Sequence, residues 1–208
     1  PTSVEQFFEE SFIPVEKQAE HLNIHIEKRY RVTDNLVSDM ISTVEAESPD
    51  ILLLGAGPRF MTDGEKSMTS FFGLFRKKVD DVLEHASCPV AIFVNRDYHD
   101  GDELAVLING SMDRFLFAHV HHLLENGDSF IRLYYFSDGS EEYMEQIHKI
   151  NKQYANRVHL YSLDKMEDLA LPAIHGLLIL SYDTCVGIAA NEKVFKALPS
   201  LLVMKDAS

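Results

Sequence analysis

Five short stretches of this chain are apolar on both faces: residues 51–54, 89–94, 104–108, 177–180 and 201–204. A strand with one wet face alternates apolar and polar residues. A strand that is apolar throughout is covered on both sides, which is the situation of a central strand in a parallel sheet. Helical patterns separate these runs at residues 71–85, 112–125, 141–154, 166–171 and 191–197. Strands separated by helices imply right-handed crossovers and a doubly wound α/β architecture.

The order of the elements suggests two consecutive units. The chain opens on a helix over residues 4–21, with Phe7, Phe8, Phe12, Val15, Ala19 and Leu22 at helical spacing. Residues 24–32 then alternate apolar and polar side chains, which predicts a strand with one wet face. A second helix follows Thr33 and Asp34, with Leu36, Val37, Met40, Ile41 and Val44 on its inner face, and Ser48-Pro49-Asp50 ends it. The hydrophilic stretch 95–102 reads as a boundary. After it the cycle restarts with five strands, at 104–108, 130–136, 158–161, 177–180 and 201–204. The expectation is an incomplete unit over 1–98, holding only the last three strands of its kind, and a complete, diverged unit over 99–208.

Composition narrows the partners. Acidic residues outnumber basic ones 33 to 19, a formal charge of −14. Such a chain repels phosphate backbones and anionic lipid, so nucleic acid is not an expected partner. No apolar run approaches the roughly 20 residues of a spanning helix; the longest, 169–180, is broken by Pro172, His175 and Gly176. Direct membrane insertion of this segment is therefore not expected. Cys88 and Cys185 are far apart in apolar contexts, as buried thiols of a reducing compartment would be.

Asp50-Ile51-Leu52-Leu53-Leu54-Gly55-Ala56-Gly57, with Val82-Leu83-Glu84-His85-Ala86-Ser87-Cys88-Pro89-Val90 at the end of the next helix, resembles the C-terminal half of a universal stress protein domain. Pro89 blocks helix continuation just where the buried strand begins. Ala105-Val106-Leu107-Ile108-Asn109-Gly110-Ser111 resembles the opening strand and turn of the same family, with Asn109 where aspartate is usual. The implied fold is a tandem pair of universal stress protein-like units, of the adenine nucleotide alpha hydrolase-like class, the first lacking its opening strands. Residues 73–83, read together with 85–90, also resemble the cytosolic C-terminal region of bacterial cation:proton antiporters of the sodium/proton exchanger type. That resemblance implies a regulatory tail on the cytoplasmic side of the inner membrane, whose partner is the membrane-embedded antiporter domain of the same polypeptide.

The family resemblance also implies where a nucleotide of the ATP, ADP or AMP type would sit. Its base and ribose would meet the turn after strand one, and its phosphates a glycine-rich loop after strand four. The candidate positions are Gly55, Gly57 and Gly73 in the first unit, and Asn109, Gly110 and Ser111 in the second. Leu74 stands where a small hydroxyl residue would be wanted. After its fourth strand the second unit offers only Ser181 to Gly187, without the two glycines that close phosphate approach needs.

No catalytic constellation stands out. Ser111 is not in a Gly-x-Ser-x-Gly elbow. Asp80-Asp81 and Glu141-Glu142 fall where helix surfaces are expected. His119 and His122 share a helix face but lack a visible third ligand, so no metal site is assigned. Three functions compete: a non-catalytic regulatory domain of an antiporter, a free-standing nucleotide-binding stress protein, and a nucleotide-using hydrolase or ligase. The first is preferred. Unpaired strand edges in the incomplete unit predict a homodimer.

Overall fold

The computed structural model describes residues 4–56, 80–96, 98–99, 103–136, 140–170, 174 and 176–207. The chain divides into two compact units, Pro1–Asp39 and Met40–Ser208.

The first unit contains helix α1 (Val4–Leu22), which carries Pro14 within it and His21 in its last turn. Asn23 leaves the helix in the left-handed region, with φ of 53°. The strand expected at 24–32 is not there; these residues form neither helix nor ladder. Their alternation is real, but a strand needs a neighbouring edge, and side-chain pairs form instead. Lys28 Nζ lies 2.8 Å from Glu9 and 2.7 Å from Glu16, and Arg29 pairs with Glu27. Ile24, Tyr30 and Val32 stay exposed.

Helix α2 (Leu36–Glu47) leads into a sheet that has seven strands among the described residues. Its strands are β1 (Leu52–Ala56), β2 (Val90–Val94), β3 (Leu104–Ile108), β4 (Ile131–Phe136), β5 (Val158–Leu163), β6 (Leu177–Ser181) and β7 (Ser200–Lys205). The sheet order is β1-β2-β7-β6-β3-β4-β5. Every neighbouring pair is parallel except β2 and β7. The sheet therefore reverses once, and β1 and β2 run against the five strands beyond them.

That reversal has a regular register. Ile92 of β2 faces Val203 of β7, with Val90 opposite Lys205 and Val94 opposite Leu201. Exchanging β2 with β7 about this centre matches Val90 to Leu201, and hence their parallel partners Leu52 and Leu178. Leu53 then corresponds to Ile179, Leu54 to Leu180 and Gly55 to Ser181. Side-chain direction agrees. Ile92, Val203 and Leu180 share one core layer, and Leu54 packs against it.

Helices cover both faces of the five-strand part. Helices α3 (Phe115–Asn126) and α4 (Glu141–Gln153) place Leu116, Val120, Leu124, Tyr143, Ile147 and Ile150 on one face. Helices α5 (Tyr182–Ala189) and α6 (Glu192–Ala197) place Cys185, Ile188, Val194 and Phe195 on the other. This explains the unbroken apolar runs: Val106 and Leu107 point to opposite layers, and both are buried. Among the described residues, the crossover from β5 to β6 contains one 3-10 turn, Met166–Ala170. A further helical stretch covers residues 80–85.

Arg96, just past β2, fastens that strand to the end of the chain. Its backbone N–H donates to Ser200 Oγ at 2.7 Å. Its Nη1 donates to the carbonyls of Phe195 and Leu198 at 2.9 and 2.7 Å, and its guanidinium lies 4.9 Å from the Phe195 ring centre. These carbonyls close α6, where orphan acceptors and the helix dipole both favour a cation. Burial holds the Arg96 pKa below its ordinary value. Cys88 and Cys185 are both buried and unpaired, and burial raises the Cys185 thiol to about 12.

Candidate functional site

In an open α/β sheet, a ligand crevice forms outside the carboxyl ends of the strands, where the crossovers diverge. Here that place is between β3 and β6. The crossover from β3 leads away to β4, while β6 leads to β7 on the other side. The turn after β3 is Asn109-Gly110-Ser111, as the sequence suggests. Gly110 has φ of 80° and ψ of −166°, a conformation open essentially to glycine alone. Ser111 opens a 3-10 turn, Ser111–Asp113.

That turn brings Asp113 between Asn109, after β3, and Thr184, after β6. Asp113 is 2% exposed, a rare burial for a carboxylate. Its Oδ2 accepts the backbone N–H of Asn109 at 2.8 Å and the hydroxyl of Thr184 at 2.9 Å. Burial raises the Asp113 pKa, and hydrogen bonds from Ser181, Asn109 and Thr184 work against that rise. On the strand side, Tyr143 donates its hydroxyl to the carbonyl of Ile108 at 2.8 Å and holds the end of β3.

The far wall differs from the sequence expectation. Ser181 to Gly187 is not a loop. Helix α5 begins directly after β6, because Ser181 is a capping residue whose Oγ accepts the N–H of Thr184 at 3.1 Å. Asp183 follows in the first turn, where the helix dipole favours an acid. A crevice of about 340 Å³ lies beside these two turns, with Met112, Phe115, Tyr182 and Lys205 among its lining residues. Its charges are largely answered by neighbours: Arg114 pairs with Glu142, and Lys205 lies 3.9 Å from Asp183. The Tyr182 hydroxyl donates to Asp80 at 2.5 Å.

The structure gathers only half of the sequence candidates. Asn109, Gly110 and Ser111 sit together at the switch point. Gly55 sits near the carboxyl end of β1, and β1 runs opposite to β3 and β6. The carboxyl end of β1 therefore lies at the other end of the sheet. Gly57, Gly73 and Leu74 lie outside the described residues. Asp113 and Thr184 were absent from the sequence candidates. The signal for Asp113 was an acid three residues after the turn glycine, indistinguishable in sequence from a helix-start carboxylate. Among the described residues, no group of three or more His, Cys, Asp or Glu side chains could hold a metal ion. Burial lowers the His119 pKa, and His121 Nδ1 lies 3.4 Å from the Tyr154 hydroxyl.

Structural comparison places this arrangement. A universal stress protein from Archaeoglobus fulgidus superposes with a TM-score of 0.59 at 14% identity, over 98% of this chain and 78% of that one. The chain has a universal stress protein-like fold. A functionally unknown protein from Pseudomonas aeruginosa superposes with a TM-score of 0.52 at 12% identity, over 95% of this chain and 78% of that one. No family profile and no curated protein sequence matches the chain. Among the described residues, no helix of this universal stress protein-like fold is long and apolar enough to cross a membrane.

Proposed function

We propose that this chain is a non-catalytic regulatory module of the universal stress protein kind, built from two units, and that it regulates a bacterial cation:proton antiporter from the cytoplasmic side. The fold supports the universal stress protein kind. The register symmetry between β1–β2 and β6–β7 supports two related units, the first contributing β1 and β2 and the second β3 to β7. The antiporter context rests on the resemblance across residues 73–90.

One observation carries the regulatory reading over a nucleotide-using one: Asp113 lies buried at the switch point, bonded to Asn109 after β3 and to Thr184 after β6. A phosphate there would meet a buried acid instead of free backbone amides, and the Asn109 amide is already taken. With α5 starting at Ser181, no glycine loop lies between β6 and its helix. The alternative, a free-standing nucleotide-binding protein, would use the loop after β1, where the space around Gly55 is open.

Equilibrium dialysis with labelled ATP tests the choice. The regulatory reading expects no sub-micromolar binding, and tight binding would transfer the case to the alternative. The antiporter context is tested by the natural reading frame. Several apolar segments of about 20 residues encoded upstream agree with it. A start codon immediately before one short strand would sink it.

A further inference from the structure

The chain holds two Asn-Gly pairs, Asn109-Gly110 and Asn126-Gly127. Asparagine is a chemically labile side chain. It is most labile before glycine, because the next main-chain nitrogen attacks the side-chain amide carbon and glycine has no Cβ in the way. Both asparagines are exposed, so access to water does not separate them. Local bonding does. Asn126 ends α3, and its Nδ2 donates to the His122 carbonyl at 3.0 Å. Arg157 clamps the chain around it, donating to the carbonyl of Leu124 at 2.7 Å and to that of Gly127. The amide that would leave is pinned, and the chain that would rotate is held. The first pair is different. Among the described residues, neither the Asn109 side chain nor the Gly110 N–H makes a hydrogen bond. Asn109 is anchored through its main-chain N–H, which donates to Asp113 Oδ2 at 2.8 Å. That anchor lies on the far side of the bond that must turn. The 3-10 turn that follows is closed by long bonds, 3.3 Å from Asp113 N–H to the Gly110 carbonyl and 3.3 Å from Arg114 N–H to the Ser111 carbonyl.

We propose that Asn109 is a self-modification site, converted by the main chain of Gly110 to aspartate or isoaspartate, while Asn126 is protected. A hydroxide ion takes the Gly110 amide proton. The Gly110 nitrogen bonds to Asn109 Cγ, the Cγ–Nδ2 bond breaks, and ammonia leaves with a proton returned by water. The product is a five-membered cyclic imide. Water then opens the imide at either carbonyl. One opening leaves an ordinary aspartate, and the other routes the main chain through Cβ. Nothing is oxidised or reduced. Either product adds one negative charge beside Asp113, which is buried. In the isoaspartate the main chain is one carbon longer between positions 109 and 110. The Asn109 N–H and the Gly110 carbonyl then no longer fit both of their bonds to Asp113. The bridge from Asp113 to Thr184 loosens, and the change runs in one direction only. The inference rests on the bonding of the two Asn-Gly turns, independently of whether a nucleotide binds.

The test incubates the 208-residue chain at pH 8 and at pH 6 and follows its peptides by mass spectrometry. The Asn109 peptide should become about 1 Da heavier, the difference between ammonia lost and water gained. This change should run at least tenfold faster than the same change at Asn126, and at least tenfold faster at pH 8 than at pH 6. A protein-isoaspartate methyltransferase should label the same peptide. In guanidinium the two rates should come within about threefold of each other, because the bonds that separate the two pairs are gone. Asn109→Gln closes the larger ring far more slowly, and should abolish the change at that position while leaving Asn126 as before. Gly110→Ala should slow it at least tenfold; the glutamine variant carries the test if the alanine one folds poorly. Exchange of the Thr184 amide should quicken at least tenfold in the isoaspartate fraction. Modification at Asn109 no faster than at Asn126 in the folded chain overturns the proposal, as does a rate difference that survives unfolding. Unchanged Thr184 exchange overturns the loosening of the bridge.

Discussion

Replacing Asp113 separates two properties of its carboxylate: accepting hydrogen bonds and carrying a buried charge. In Asp113→Ala, the Asn109 N–H and the Thr184 hydroxyl lose their shared acceptor at 2.8 and 2.9 Å. Each buried donor left unsatisfied costs about 1–3 kcal/mol. Removing the desolvated charge offsets part of that, leaving a net loss of about 3 kcal/mol. For a chain of this size the melting temperature should fall by about 6–12 °C. Asp113→Asn keeps an acceptor oxygen and discards the charge, so its stability at pH 7 should stay within about 1 kcal/mol of the parent. The pH dependence gives an independent check. The folded Asp113 pKa is raised above its ordinary value. Its contribution to stability is therefore fully present below the unfolded pKa and is lost as pH rises through the folded one. The gap between Asp113→Asn and the parent should move in favour of asparagine over that interval. Urea unfolding followed by circular dichroism from pH 4 to 8 measures all three. If the alanine variant loses under about 1 kcal/mol, or asparagine is as harmful as alanine, the account of this site is wrong.

Other positions give sharper single readouts. Arg96→Ala strips two carbonyls at the end of α6 of a charged donor, and should cost about 2–3 kcal/mol in the same unfolding assay; Arg96→Lys should recover part of it. Gly110→Ala forces a side chain into a glycine-only backbone conformation and should cost about 1–3 kcal/mol, with Ser111→Ala, one residue on, much milder. Neither buried thiol should react with a disulfide reagent at pH 8 in the folded chain, and both should react after unfolding in guanidinium; prompt labelling of Cys185 in the native state would contradict its burial.

The apolar runs at β2, β3, β6 and β7, the helical spacings of α1 to α4, and the turn at Gly110 were legible from the chain alone. Each is a local consequence of side-chain periodicity or of glycine's freedom. The switch point was half legible. Asn109-Gly110-Ser111 declares a turn, but whether Asp113 points to water or into the interior depends on Thr184, 71 positions later. Helix α5 was missed because its first turn, Ser181 to Thr184, carries turn chemistry and cap chemistry at once, and only the end of β6 beneath it selects the cap.

What the sequence determined by itself is the class of fold and most of its elements, since burial on two faces is written in unbroken apolar strands. What only the tertiary structure decided is pairing: that β2 meets β7 antiparallel, that Gly55 opens at the opposite end of the sheet from Asn109, and that residues 24–32 join no ladder. A strand is a potential until a neighbour supplies the other half of its hydrogen bonds, and the identity of that neighbour is a property of the whole chain.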